Sequence, residues 1–303
     1  MKIKLNTGWL MIATILTYEV AFPQLGTGNE PSREIGARAT ALAGALASEA
    51  ADASCMYWNP AALVGLDKAS VLSDYYRSSA EPLWNESLSA VFRPTNDDGF
   101  GLGLSLGIAR LDNQSTQSDL YPLQYSADFA YARVITSYTS IGVRAGLQYG
   151  HNEKSHMLAG SAAVGLFYFP SPEISYGIVY SGLGTGISYV LSQQSVVLAQ
   201  EQLPQALQIG VSMRFPALNE SRSLVISLAN EKIITESGLL YEGGIEIFLL
   251  RGLALRIGYM TGLGISEMRY GFGLIGDKLM VDYAITPAVQ TSRLHQVSVS
   301  MAF

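Results

Sequence analysis

Ser140-Ile141-Gly142-Val143-Arg144-Ala145-Gly146-Leu147-Gln148-Tyr149-Gly150-His151 alternates without a break. Ile141, Val143, Ala145, Leu147 and Tyr149 fall on one side of a period-2 segment, and Gly142, Arg144, Gly146 and Gln148 on the other. Successive side chains of a strand point to opposite faces, so this is a strand with one apolar face and one small, polar face. Twelve residues also exceed the ~9–11 that a tilted strand needs to cross a bilayer. An aromatic near the end of the apolar face suits a lipid interface, and glycine with a lone arginine suits a lumen.

The pattern repeats. Gln205–Phe215 sets Leu207, Ile209, Val211, Met213 and Phe215 against Gln208, Gly210, Ser212 and Arg214. Leu253–Thr261 sets Leu253, Leu255, Ile257 and Tyr259 against Ala254, Arg256 and Gly258, and the last strand sets Val297, Val299, Met301 and Phe303 against Gln296, Ser298, Ser300 and Ala302. Fourteen such segments are expected: Ala69–Arg77, Ser87–Pro94, Phe100–Leu111, Gln124–Ile135, Ser140–His151, Met157–Pro170, Ile174–Gly184, Gln205–Phe215, Ser223–Lys232, Leu239–Leu250, Leu253–Thr261, Glu267–Gly276, Lys278–Thr286 and Arg293–Phe303. Their connections alternate between short turns, such as Ser171-Pro172-Glu173, and loops that include the longer Asp112 to Leu123 and Thr185 to Pro204. An even number of antiparallel strands with short turns at one end and longer loops at the other is the layout of a transmembrane β-barrel. Only 15% of the residues are charged, against about 25% in soluble domains. A soluble sandwich would put more Lys and Glu on its outer face.

The first residues read as an export leader. Lys2 and Lys4 precede an apolar run from Trp9 to Leu16, too short to span a bilayer, and cleavage is expected near Ala21. Losing Lys2, Lys4 and Glu19 moves the net charge from −6 to −7. That acidity excludes nucleic acid, which needs a basic patch. One cysteine, Cys55, rules out an intramolecular disulfide.

Between leader and strands lies Ile35 to Gly65, rich in alanine and ending in Tyr57-Trp58-Asn59-Pro60-Ala61. Asn59 is placed as an N-cap, Pro60 as a first helical residue and Gly65 as a left-handed C-terminal stop, which predicts one short helix over Pro60 to Val64. The residues Gly36, Arg38, Gly44, Asp52, Tyr57, Trp58, Asn59, Pro60 and Ala61 form a pattern that resembles the N-terminal signature of PorV/PorQ-like outer-membrane proteins, a branch of the long-chain fatty-acid transporter (FadL) superfamily. Ala62 stands where that family often has glycine. The resemblance implies a 14-stranded outer-membrane barrel with a slim N-terminal hatch. It organises the chain as a leader at 1–21, a hatch at 22–66 and a barrel at 67–303, with both termini periplasmic. Tyr57 and Trp58 are expected to anchor the hatch to the wall, and Arg38 to pair with a wall carboxylate. The terminal Phe303 resembles the signal by which the barrel-assembly machinery recognises such chains.

Strand parity turns Asp128, Arg144, Arg214, Glu242, Glu246, Arg256, Arg269 and Asp282 into the lumen, because an arginine at mid-depth in lipid costs ~2–4 kcal/mol. Four acids and four arginines there form either a lattice tying hatch to wall or a polar path for a ligand. No cofactor is expected. His151 and His156 flank one outer loop without further metal-ligating partners, and no nucleophile is marked by an adjacent base. A barrel phospholipase with Ser and His on its outer face is the remaining enzymatic reading. The repeated glycines of Gly101–Gly107 fall at period 2 and mark a bare inner face rather than a phosphate loop. The apolar middle of Thr185 to Pro204 is expected to serve a partner, a ligand or a lid, or to pack on its neighbours. The resemblance implies a non-enzymatic role in type IX-type secretion or surface assembly, with secretion components or cargo as partners beside membrane lipid. Its alternative is a FadL-type passive transporter of a hydrophobic ligand.

Overall fold

A computed structural model describes residues 35–66, 69–79, 83–108, 111–113, 118–120, 123–151, 155–185, 187–191, 197–201, 203–216, 222–250, 252–289 and 292–303. The leader and residues 22–34 lie outside these. The strands, in chain order, are β1 (Ala69–Ser78), β2 (Trp84–Phe92), β3 (Asp98–Ile108), β4 (Leu111–Asn113), β5 (Ser118–Leu120), β6 (Leu123–Thr136), β7 (Thr139–His151), β8 (Ser155–Ser171) and β9 (Ile174–Gly184). They continue with β10 (Ile187–Leu191), β11 (Val197–Glu201), β12 (Ala206–Pro216), β13 (Arg222–Ile233), β14 (Leu240–Leu250), β15 (Leu253–Gly262), β16 (Ile265–Ile275), β17 (Leu279–Val289) and β18 (Ser292–Ala302). Leaving aside β4, β5, β10 and β11, the other fourteen form a closed antiparallel barrel, sealed where β1 meets β18. Each wall strand pairs with the wall strand before and after it in the chain. Closure gives every wall strand a partner on both sides, the condition for backbone polar groups to survive in hydrocarbon. No helix among the described residues is long and apolar enough to cross a membrane, which says nothing against crossing by strands.

The fourteen expected segments are the fourteen wall strands, with ends moved by a few residues. The largest shifts are of three residues: β2 starts at Trp84 rather than Ser87, β3 ends at Ile108 rather than Leu111, and β17 ends at Val289 rather than Thr286. Thr185 to Pro204 differs from expectation, because it carries a hairpin, β10–β11, and β10 pairs with the first residues of β8. At that end β8 extends past β9, and β10 takes up the hydrogen bonds β9 leaves. The β8–β9 register slips beside Gly182, whose φ of 77° suits a bulge. Asp112 to Leu123 likewise contains the small β4–β5 pair.

Burial follows parity. In β7 the odd-numbered apolar residues are exposed and the even-numbered small and polar ones are buried. Leu102, Leu104 and Leu147 are each at least 60% exposed, while Arg144 is 3% exposed. The exposed apolar band is the lipid face, and Tyr125, Tyr149, Tyr168, Tyr176 and Tyr259 lie toward its margins.

Residues 35–66 fill the bore. They form α1 (Ala37–Ala41), α2 (Cys55–Trp58) and a 3₁₀ helix, η1 (Pro60–Gly65). The single expected helix is thus accompanied by two more turns. Gly36, Ala43 and Gly44 bracket α1 at φ of 98°, 56° and 83°. Such left-handed residues reverse the chain within a few positions and keep α1 short. Gly65 does not act as a left-handed stop; it lies within η1, where an added Cβ would stand 2.7 Å from that of Ala50. Alanine dominates because the space is narrow, and Ala37, Ala39, Ala41, Ala61 and Ala62 are fully buried. Replacing Leu104 by arginine puts a charge on the lipid face near the middle of β3. It is expected to cost about 2–4 kcal/mol of folding free energy, read from equilibrium unfolding in lipid vesicles.

Candidate functional site

The inner wall is bare where the hatch leans on it. A Cβ on Gly142 would collide with the backbone of Pro60 and Ala61, and one on Gly177 with that of Ala47. A Cβ on Gly258 would lie 2.6 Å from the Ala43 nitrogen, and one on Gly244 2.8 Å from the Leu42 side chain. Glycine on the lumen face, visible as alternation in the sequence, is the wall's half of the fit. Alanine on the hatch is the other half.

Asn59 joins three parts of the structure. Its Oδ1 accepts from the Ala61 amide at 3.0 Å and caps η1. Its Nδ2 donates to the Ala47 carbonyl at 2.6 Å within the hatch and to the Leu166 carbonyl of β8 at 3.1 Å. Pro60 holds the first turn with no N–H to satisfy, and the Ala61 carbonyl accepts from the Ser140 hydroxyl of β7 at 2.7 Å. Asn-Pro-Ala is therefore a cap, a helix start and a wall tie in three residues.

Charge holds the other side. Arg38 Nη2 lies 2.7 Å from Glu246 of β14 and 3.4 Å from Glu49 of the hatch. Arg256 of β15 bridges Glu246 and Asp282 of β17, each at 2.6 Å, and Arg214 of β12 reaches Glu49 at 2.7 Å. Three arginines and three carboxylates balance within one buried chain of contacts. Burial alone would lower the Arg38 pKa, but Glu246, Glu49 and Asp52 outweigh it and hold the guanidinium protonated well above its ordinary range. A second pair, Arg144–Asp128 at 3.3 Å, sits beneath Tyr57, whose ring centroid is 5.4 Å from the Arg144 guanidinium carbon.

The remaining residues singled out from the sequence are placed as follows. Glu242 accepts from Gln208 Nε2, which also donates to the Gly44 carbonyl at 3.2 Å. Arg269 pairs with Glu267 two residues before it on β16. Asp52 accepts from the Ser54 amide at 2.8 Å and shapes the approach to α2. Gly36 precedes α1. Trp58 does not tie the hatch to the wall by its indole N–H; that group donates to the Ile35 carbonyl at 3.0 Å and closes the hatch on itself. The Phe303 amide donates to the Ala69 carbonyl at 2.9 Å, where the last strand meets the first, and its ring is exposed. His151 and His156 oppose one another across β7 and β8, and His151 stacks on Tyr125 and Tyr149. Among the described residues no group of three metal-ligating side chains occurs. Burial pushes the Cys55 thiol up, away from the reactive thiolate.

Sequence reasoning missed Glu49, the hatch carboxylate shared by Arg38 and Arg214, because an irregular segment carries no parity to show where a side chain points. It also missed a void above the hatch. Asn85, Gly107, Gln124 and Gln148 line it from inside, with Trp84 and Tyr125 at its margin. Its enclosed part is about 10 Å³, room for about one water. Hatch contacts on β7 run from Ser140 and Gly142 to Arg144 beneath Tyr57, so Gln148 is ~13 Å further toward the long-loop end at 3.3–3.4 Å per residue.

No family model matches the chain, and no curated protein matches it in sequence. Solved structures do match in fold. The Pseudomonas putida toluene transporter TodX superposes with a TM-score of 0.66 at 15% identity, covering 90% of this chain and 99% of that one. The Ralstonia pickettii toluene transporter TbuX gives 0.60 at 13%, covering 89% and 98%. A Pseudomonas aeruginosa FadL homologue gives 0.61 at 11%, covering 88% and 97%. At these identities the likeness is one of fold, and it runs nearly end to end.

Two substitutions test the hatch ties. Asn59→Asp exchanges two donors for acceptors and orphans the buried carbonyls of Ala47 and Leu166, at about 1–3 kcal/mol each. Glu246→Leu leaves Arg38 and Arg256 short of a buried counter-charge, at about 3–5 kcal/mol. Both are expected to lower the temperature at which the folded barrel loses its heat-modifiable mobility in gel electrophoresis, Glu246→Leu by more. Both are also expected to expose residues 35–66 to protease before the wall opens.

Proposed function

We propose that the chain is an outer-membrane channel for passive entry of small hydrophobic molecules. The observation that carries this reading is the end-to-end fold likeness to structures that include toluene transporters, on a barrel whose bore is closed by a hatch at one end and holds a small void at the other. Of the two expectations from sequence, the comparisons favour transport over a secretion-specific role. In this reading the leader is removed on export, the short turns and both termini face the periplasm, and Phe303 serves barrel assembly. The charge lattice is structural, because its charges balance one another and its arginines lie on carboxylates rather than facing an open path.

The geometry supports a route that enters from the long-loop end. The hairpin β10–β11 raises the wall next to β8 at the same end.

Radiolabelled toluene is expected to enter proteoliposomes carrying the protein several-fold faster than protein-free vesicles. Removal of residues 186–202, which leaves a four-residue turn between β9 and β12, is expected to slow entry while leaving the barrel folded. Equal entry with and without protein would sink the channel reading and return the secretion role, which a pull-down with the C-terminal domains of secreted cargo would then address.

A further inference from the structure

A second hollow lies on the outside of the barrel. Tyr75, Arg77, Ser78, Ser79, His295 and Val297 line an open groove of about 300 Å³ over the β1–β18 seam, at the long-loop ends of both strands. Tyr75, Arg77 and Val297 are exposed on the face that carries the lipid band. Arg77 stands directly opposite His295 across the seam. Arg293 lies two residues before His295 on β18, so parity turns it to the same face, and it too is exposed. Diagonal neighbours on one face of an antiparallel pair are ~7–8 Å apart, which sets the spacing of Arg77 and Arg293. The backbone at Arg293 is held, because its amide donates to Ser79 Oγ at 2.9 Å and its carbonyl accepts from the Ser79 amide at 2.8 Å.

The lumen arginines Arg38, Arg144, Arg214 and Arg256 all sit on carboxylates. Among the described residues, Arg77 and Arg293 make no ion pair. Glu86 of β2 shares their face but stands opposite Tyr75, diagonal to Arg77. Two arginines against one acid leave this face positive. The His295 ring is held by Tyr283 of β17, whose hydroxyl lies 2.7 Å from Nδ1. With that hydroxyl donating, the ring keeps its proton on Nε2 and offers a further N–H. His295 and Arg293 are eight and ten residues from Phe303 along one strand. At ~3.4 Å per residue and a tilt of ~40°, that is ~21 and ~26 Å of height, the upper edge of an apolar band ~25 Å tall. Below the groove the wall exposes Val297, Val299 and Met301.

We propose that Arg77 and Arg293, with His295 beside them, hold one phosphate of an outer-leaflet glycolipid, whose acyl chains descend the wall over Tyr75, Val297, Val299 and Met301. This goes beyond the channel reading and needs only the membrane orientation given with it. A guanidinium fork matches phosphate geometry bidentately, and two forks at this spacing can share one phosphate. A phosphatidylethanolamine brings its own ammonium, whereas a glycolipid phosphate brings none. Free phosphate would meet the cations but leave the apolar half of the groove uncovered. Arg77 belongs to the first wall strand and Arg293 to the last, so the shared phosphate also ties the seam.

Native mass spectrometry of the detergent-purified protein is expected to show lipid A bound on the order of tenfold more tightly than its fully dephosphorylated form, from charge-assisted hydrogen bonds, and inorganic phosphate not bound in the same range. Lipid A is also expected to raise the temperature at which the folded barrel loses its heat-modifiable mobility. In the double variant Arg77→Gln, Arg293→Gln both effects are expected to vanish, while Arg133→Gln, which removes an exposed arginine at the short-turn end, leaves them unchanged. Equal binding of the two lipid forms by the native protein overturns the inference without any variant. So does a double variant that keeps the preference, an Arg133→Gln variant that loses it equally, or inorganic phosphate that binds as tightly as lipid A. Toluene entry is expected to be the same in the native protein and the double variant, so the channel reading stands or falls separately.

Discussion

A backbone N–H or C=O facing hydrocarbon without a partner costs several kcal/mol, so a sheet in lipid must close on itself. The β1–β18 seam meets that demand, and much else follows from it. Closure fixes a strand count and therefore a bore. A bore must be filled by side chains, by water or by a separate piece of chain. Here the wall gives up its side chains over much of its inner surface, and residues 35–66 supply the missing volume. Gly142, Gly177, Gly244 and Gly258 are gaps of known shape, and each has a hatch atom set against it.

A plug held only by apolar contact could slide along a smooth bore. Directional bonds prevent that on two sides. Asn59 and Ser140 fix η1 to β7 and β8, and Arg38 and Glu49 fix the opposite side to β12, β14 and, through Arg256, to β15 and β17. Ion pairs buried this deeply add little net stability over a well-packed apolar core, but losing one partner is severe. Their contribution is to position: a shifted hatch strands a charge. This is also why the lumen charges do not read as a conduit. Above the hatch the polar groups change kind, from paired ions to the buried amides of Asn85, Gln124 and Gln148.

The strands were legible because a membrane wall makes period-2 patterning strict. One face meets lipid and the other meets the lumen, so Leu147 and Arg144 can each be assigned by position alone. The eight lumen charges were likewise placed by parity. Elements without a period were harder. Gly65 has the look of a helix stop but takes its place for want of a Cβ beside Ala50. Trp58 has the look of a wall anchor but donates to Ile35. The hairpin β10–β11 was hidden in a loop, since its pairing with β8 depends on how far β8 outruns β9.

By itself, then, the sequence determined a closed barrel of fourteen strands, which way each strand faces, and a narrow alanine-rich segment ahead of it, because those depend on local periodicity and on side-chain size. Only the tertiary structure decided which charges pair, that Glu49 mediates between Arg38 and Arg214, and that Asn85, Gln124 and Gln148 converge around Gly107. Those three amides lie up to 63 positions apart in the chain. What joins them is strand register, and register is set by the pairing of whole strands rather than by any residue's own neighbours.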